Sequence, residues 1–198
     1  RLIFQFKDEI ERDKIYQTFR YFVEQKEYTH FLALPISPNF PNWNEALVQV
    51  YNRWNVNVPK AINLMHITLS LFVLKDDDEI ELVNSLILEA LHETEWPEQC
   101  LLKFSNLGFF GSSKKAKILY IEPESNEFTN CVTIFTLNFV SKMKDHGFGY
   151  IEESTSPYHI TVIRPNFLGR KMDFNCSRYL NDYNENDLPE LDIQEFRL

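Results

Sequence analysis

Glycine is almost missing from this chain, with five in 198 residues. Gly108, Gly111, Gly147, Gly149 and Gly169 cannot be arranged as G-x-G-x-x-G or G-x-x-x-x-G-K-[ST], so the Rossmann and P-loop ways of cradling a nucleotide on backbone N–H groups are excluded. Cysteine is scarce too. Cys100, Cys131 and Cys176 form no C-x-x-C pair, and their odd number fits no closed disulfide framework, which favours a reducing, intracellular compartment, nuclear or cytoplasmic. Long apolar runs are absent: the longest uncharged stretch, Tyr28 to Asn44, contains three prolines and falls short of the roughly 20 apolar residues a bilayer-spanning helix needs. A soluble protein with no membrane partner is expected. No signal peptide opens the sequence, and Arg1 in place of Met reads as the start of a fragment. Basic charge is in deficit, 20 Lys and Arg against 29 Asp and Glu for a net −9. Such a protein does not draw in polyanions by its overall field, so any nucleic-acid contact must be local.

What is present is apolar and aromatic, 44% and 15% of the residues, enough for a packed core and, at this length, one main domain. Leu2 to Phe6 alternates like a short strand, and Asp8 to Gln25 spaces its apolar residues helically. The spacing then predicts a buried strand over Thr29 to Ile36, a helix carrying Leu47, Val50, Tyr51 and Trp54, and a strand over Asn63 to Leu74. Asp76, Asp77 and Asp78 supply a cap and first-turn negative charge for a helix burying Ile80, Val83, Leu86, Ile87 and Leu91. The second half repeats the order. Strands over Leu101 to Phe110 and Ala116 to Glu122 flank a turn, and a helix over Glu127 to His146 is stopped by Gly147. Strands around Phe148 to Ile151 and Tyr158 to Arg164 follow, and Leu191 to Leu198 reads as a last strand after a polar tail. The expectation is an α+β fold in two similar halves, with helices on the outer faces of the sheets.

The chemistry-bearing feature is a duplicated tetrapeptide. His66-Ile67-Thr68-Leu69 and His159-Ile160-Thr161-Val162 each sit inside a predicted strand, 93 residues apart. In a strand, His and Thr two positions apart share one face while the apolar residues between them point to the other. If the halves are related by an approximate two-fold, two imidazoles and two hydroxyls converge across a cleft, a site that needs no metal and no cofactor. Two of five histidines heading an apolar-[ST]-apolar tripeptide by accident has a chance of about 0.4%. Each copy alone reads more readily as a core or sheet-face histidine with a neighbouring hydroxyl; the pair reverses that and argues for a site. His30, His92 and His146 carry no such pattern, and HETEW fails H-E-x-x-H.

With these motifs the sequence resembles the two-histidine (2H) phosphoesterase superfamily, over about residues 29–198, leaving 1–28 as an N-terminal strand and helix. THFLALPIS, NLMHITLSLFVLKDDDEIELVNSLILEAL and LLKFSNLGFFG look most like the branch of activating signal cointegrator complex subunit 1 and the central domain of an A-kinase anchoring protein. In the first of these a KH RNA-binding module lies upstream. Residues 1–28 have room for only the end of one, and no glycine precedes Gly108 to form its G-x-x-G loop.

The resemblance implies a bilobal fold with a central cleft and a metal-independent phosphodiesterase acting on RNA ends, 2′,5′ linkages or 2′,3′-cyclic phosphates. His66 and His159 divide acid and base duties, and Thr68 and Thr161 hold the phosphate. The ligand would be a short, cleft-bound RNA or nucleotide. The alternative implied by the same likeness is a non-catalytic nucleotide- or RNA-binding subunit of a transcription coactivator or alkylation-repair complex, with protein partners. Auxiliary candidates are Phe31, Phe109 or Phe110 for base stacking, Tyr158 beside the second motif, and Arg164, Arg170, Lys171 and the Lys114, Lys115, Lys117 cluster for phosphates. For the aromatics core packing, and for the cations surface solvation, is the competing role.

Overall fold

The computed structural model describes residues 28–36, 40–153, 158–168 and 173–193. The strand over Leu2 to Phe6, the helix over Asp8 to Gln25, Arg170, Lys171 and the end of the last expected strand lie outside the described residues. Within them, helices and antiparallel strands make an α+β fold.

The chain starts with β1 (His30–Pro35) and enters α1 (Pro41–Arg53), where Pro41 takes the first helical position, a place that needs no N–H. Trp43, Leu47, Val50 and Tyr51 form its buried stripe. A short 3-10 helix, Lys60–Leu64, then leads into β2 (His66–Phe72). The strand expected from Asn63 is therefore shorter at its start, because Pro59 and the tight turn occupy the preceding backbone. α2 (Asp77–Glu93) opens as expected, with the Asp76 side chain accepting from the Glu79 backbone N–H at 3.0 Å and acids filling the first turn. Its buried face is Val83, Leu86, Ile87 and Ala90.

Next come β3 (Leu101–Leu102), β4 (Phe104–Ser112) and β5 (Lys115–Pro123). α3 (Glu127–Asp145) is opened by a capping box between Asn126 and Thr129 and is followed by Gly147 at φ +86°, a left-handed stop that glycine accommodates without strain. α3 packs beside α2, and Lys142 reaches Glu93 at 2.8 Å and Glu89 at 3.3 Å between them.

β6 (Ile151–Glu153) and β7 (Ile160–Ile163) go to different sheets. β6 begins where the strand expected around Phe148 to Ile151 was to end. One sheet has the order β1-β2-β6 and the other β4-β5-β7. The halves are thus not equivalent: the His66 strand is central in its sheet, whereas the His159 strand lies at an edge. β6 covers only Ser70 to Phe72 of β2. β7, with no hydrogen-bonded ladder to β2, approaches the same strand to within 8 Å between Cα atoms. Both motif strands therefore meet at the seam between sheets.

The polar tail is more ordered than its composition suggests. Phe174 exchanges two backbone hydrogen bonds with Ala116, at 2.8 and 3.0 Å. α4 (Ser177–Asp182) follows, and β8 (Leu191–Asp192) pairs with β3 as a two-residue strand. No helix among the described residues is long and apolar enough to cross a membrane.

Candidate active site

The alternation of burial read from the tetrapeptides holds in both, although β7 begins at Ile160 and His159 lies one residue before it. Ile67, Leu69, Ile160 and Val162 are buried, while His66, Thr68, His159 and Thr161 are half-buried on the opposite side. β2 keeps that order up to Leu69, where one extra residue against β1 breaks the ladder between Leu32 and Ala33. Across the ladder Thr68 faces Ala33 and His66 faces Pro35, so neither group has a polar partner directly opposite.

His66 is held by the turn that shortens its strand. Its Nδ1 lies 2.7 Å from the Leu64 carbonyl oxygen, a contact that requires an N–H on Nδ1, so that in the neutral ring Nε2 is the nitrogen that accepts. Phe31, 56% exposed, stacks on the imidazole at 5.1 Å between centroids with 22° between planes. His159 is walled by Phe110, edge-on at 5.3 Å, and by Tyr120 at 4.9 Å. Each motif histidine thus has one exposed phenylalanine beside it. Phe109, the alternative to Phe110, packs against the core instead.

The two threonines differ from the rest. Thr29, Thr94, Thr129, Thr133 and Thr136 each donate a hydroxyl hydrogen bond to a backbone carbonyl. Among the described residues, the hydroxyls of Thr68 and Thr161 engage no protein group. A half-buried hydroxyl with no internal partner is available to an incoming acceptor, such as a phosphate oxygen.

The auxiliary candidates separate. Phe31 and Phe110 lie at the histidines. Tyr158 lies on the core side of β7, packed against the core, with its hydroxyl donating to Thr136 Oγ1 at 3.4 Å. Arg164 is exposed just beyond β7. Among the other histidines, Nδ1 of His146 contacts the Lys142 carbonyl at 2.9 Å at the end of α3, and His30 contacts Thr29 Oγ1 at 2.8 Å; both are local turn contacts.

Tyr120 has no place in the sequence reading, yet its ring touches His159 and Phe110 and its register partners are Gly108 and Thr161. Burial, then the Glu122 carboxylate, pushes its phenol above the ordinary range. A signal was available in the glycine of NLGFFG, since a glycine inside a strand marks a close approach, but the residue approaching it depends on cross-strand register. Among the described residues no three His, Cys, Asp or Glu side chains gather as metal ligands.

Residues 28–198 match the family model described as the AKAP7 2'5' RNA ligase-like domain. No curated protein matches the chain. Among solved structures, one titled "Crystal structure of phosphoesterase" is similar at 14% identity and a TM-score of 0.48, over 68% of this chain and 71% of its own.

Proposed function

Because this chain belongs to the AKAP7 2'5' RNA ligase-like domain family, within the two-histidine phosphoesterase superfamily, we propose that it is a phosphodiesterase acting on RNA ends, with 2′,5′-linked or 2′,3′-cyclic phosphates as substrates. His66 acts as general base through Nε2, taking a proton from the attacking water or hydroxyl while Nδ1–H stays bonded to the Leu64 carbonyl. His159 gives a proton to the leaving oxygen, so one proton enters the pair for each one that leaves. The Thr68 and Thr161 hydroxyls donate to the non-bridging oxygens, where negative charge builds as the phosphorus becomes five-coordinate. Phe31 and Phe110 offer aromatic faces to the flanking bases.

The observation that carries this reading is the pair of uncommitted threonine hydroxyls, each two residues after a histidine, on strands that come within 8 Å of each other between Cα atoms. A purely structural role for the tetrapeptides gives no reason for those two hydroxyls alone, among the described threonines, to lack an internal partner.

The test is hydrolysis of a 2′,5′-linked dinucleotide and a 2′,3′-cyclic nucleotide in EDTA. The wild type should turn over at least one of them. His66→Ala and His159→Ala should each reduce kcat by about 10² to 10⁴-fold, and Thr68→Ala by about 10²-fold. If nothing is turned over but AMP binds and Thr68→Ala weakens it, the site is a binding site only and catalysis is refuted. A metal-dependent activity indifferent to both histidines would refute the whole assignment.

A further inference from the structure

The tip of the β4–β5 hairpin carries three exposed lysines within four residues, Lys114, Lys115 and Lys117. In a chain with net charge −9 this is a local reversal of sign. Elsewhere, Lys75 pairs with Glu79, Lys103 with Glu190, and Lys142 with Glu89 and Glu93. Among the described residues none of the three hairpin lysines has an acidic partner.

A common use for such lysines is to guard a bare strand edge against unwanted pairing. That use does not apply here. Strand β5 is central in its sheet, with β4 on one side, and on the other side Ala116 is hydrogen-bonded in both directions to Phe174. The strand that carries Lys115 and Lys117 therefore has no open edge beside Ala116 for them to guard.

The register shows where this charge lies relative to the motif histidine. On β4 and β5, Gly108 faces Tyr120, Phe110 faces Ile118, and Ser112 faces Lys115, with an irregularity between Phe110 and Gly111 that sets Lys117 out of the ladder. Tyr120 faces Thr161, and Leu119 faces Ile163. Ala116, Leu119 and Ile163 are buried, so Tyr120, Ile118, Lys115 and, beyond Ile163, Arg164 fall on the side that bears Thr161 and Phe110. One sheet face therefore presents Thr161, Tyr120, Phe110 with Arg164, and Lys115 in succession, ending at the tip with Lys114 and Lys117. From Tyr120 to Lys115 is about four ladder steps, or roughly 14 Å at ~3.4 Å per residue. A stacked strand places a phosphate about every 3.4 Å and an extended one fewer, so the track is roughly two to four nucleotides long.

We propose that this hairpin face is a second phosphate-binding subsite, and that the substrate is a single-stranded oligonucleotide several residues long that runs from the histidine pair over Phe110 to the lysine tip. The inference rests on the phosphodiesterase reading and names its substrate more narrowly. Phe110 supplies a stacking platform that tolerates any base, and the lysines add backbone contacts that an isolated nucleotide is too short to reach.

The experiment compares the wild type with the triple variant Lys114→Ala/Lys115→Ala/Lys117→Ala, and with Phe110→Ala, by fluorescence anisotropy. The probes are a labelled single-stranded octaribonucleotide, AMP as competitor, and a poly-glutamate peptide. Unfolding midpoints confirm that the variants fold. The triple variant should lose about tenfold more affinity for the octanucleotide than for AMP. Its slope of log K against log salt should shrink by about 2, since each lysine neutralising one phosphate of a single strand contributes ~0.7. Phe110→Ala should weaken the octanucleotide without changing that slope. Equal losses for octanucleotide and AMP, an unchanged slope, or poly-glutamate binding as tightly as RNA would overturn the subsite. If the wild type hydrolyses the dinucleotide while the triple variant holds the octanucleotide undiminished, only this inference fails. If the wild type neither binds AMP nor turns over any phosphodiester, the reading beneath it fails.

Discussion

Gly108 shows how one residue without a side chain serves a histidine on another strand. A Cβ placed there would stand 2.2 Å from Tyr120 Cε2, 2.4 Å from Cζ and 2.6 Å from the hydroxyl oxygen, all far inside van der Waals contact. The ring has nowhere simple to go, because Phe110 lies 4.8 Å away and His159 4.9 Å away. An aromatic ring covering a glycine on the neighbouring edge strand also fills the gap a missing side chain leaves in a sheet. Gly108→Ala should therefore destabilise the fold by about 1 to 3 kcal/mol through overpacking, with Gly108→Ala/Tyr120→Ala recovering part of the loss. Urea titrations of both variants read this directly. A Gly108→Ala protein as stable as the wild type would mean that the ring moves freely. Phe31 and Phe110 illustrate the other side of residue-scale reasoning: composition could not separate them from core aromatics, and only their exposure and ring contacts do so.

At the scale of elements, α3 depends on its first turn. Asn126 Oδ1 accepts from the Thr129 backbone N–H at 2.9 Å, Thr129 Oγ1 accepts from the Asn126 backbone N–H at 2.8 Å, and Asn126 Nδ2 donates to the Leu101 carbonyl at 2.8 Å. The cap therefore closes the helix and also ties it to β3. Asn126→Ala is expected to cost about 1 to 2 kcal/mol, the upper part of the range for lost N-caps, measured as a shift in denaturant midpoint at unchanged slope. A cost of a few tenths would show that the tie to β3 contributes nothing. Signals of this kind are written in consecutive residues, which is why the cap and apolar stripe of α2 and the Gly147 stop of α3 were legible in the sequence. The bulge at Leu69 was not, because it depends on the ladder with β1.

Across the whole molecule, two contacts join distant parts. The buried Tyr51 hydroxyl donates to the Val162 carbonyl at 2.6 Å, linking α1 to the His159 strand, and burial holds that phenol well above its ordinary range. Arg53, also on α1, forms a two-pronged ion pair with Asp187 in the C-terminal segment. Burial alone would push the Asp187 carboxyl up; the Arg53 guanidinium and the Asn184 backbone N–H outweigh it and hold it below the usual carboxylate value. The stabilisation is therefore present above the unfolded carboxyl pKa of about 3.9 and is lost as pH falls through the lower folded value. Since Arg53 is 43% exposed, its size at neutral pH is about 0.5 to 1 kcal/mol. Asp187→Asn should be less stable than the wild type by that amount at pH 7, with the gap closing below about pH 4. Unfolding curves for both proteins across that range test it, and a gap that persists at the lowest pH would assign the effect to packing instead.

The sequence by itself determined the local features: strand alternation in both tetrapeptides, the buried stripe of α1, the cap and buried stripe of α2, the glycine stop at Gly147, and the pairing of each motif histidine with a threonine on one face. These depend on backbone periods of 2 and 3.6 residues, so neighbours along the chain carry them. Only the tertiary structure decided that β6 joins the first sheet before β7 enters the second, that Tyr120 walls His159, that the Leu64 carbonyl sets the His66 proton, and that Phe174 closes the side of β5 at Ala116. Each of these joins residues far apart in sequence or across a turn, where the outcome depends on register and on which surfaces the rest of the chain has already covered.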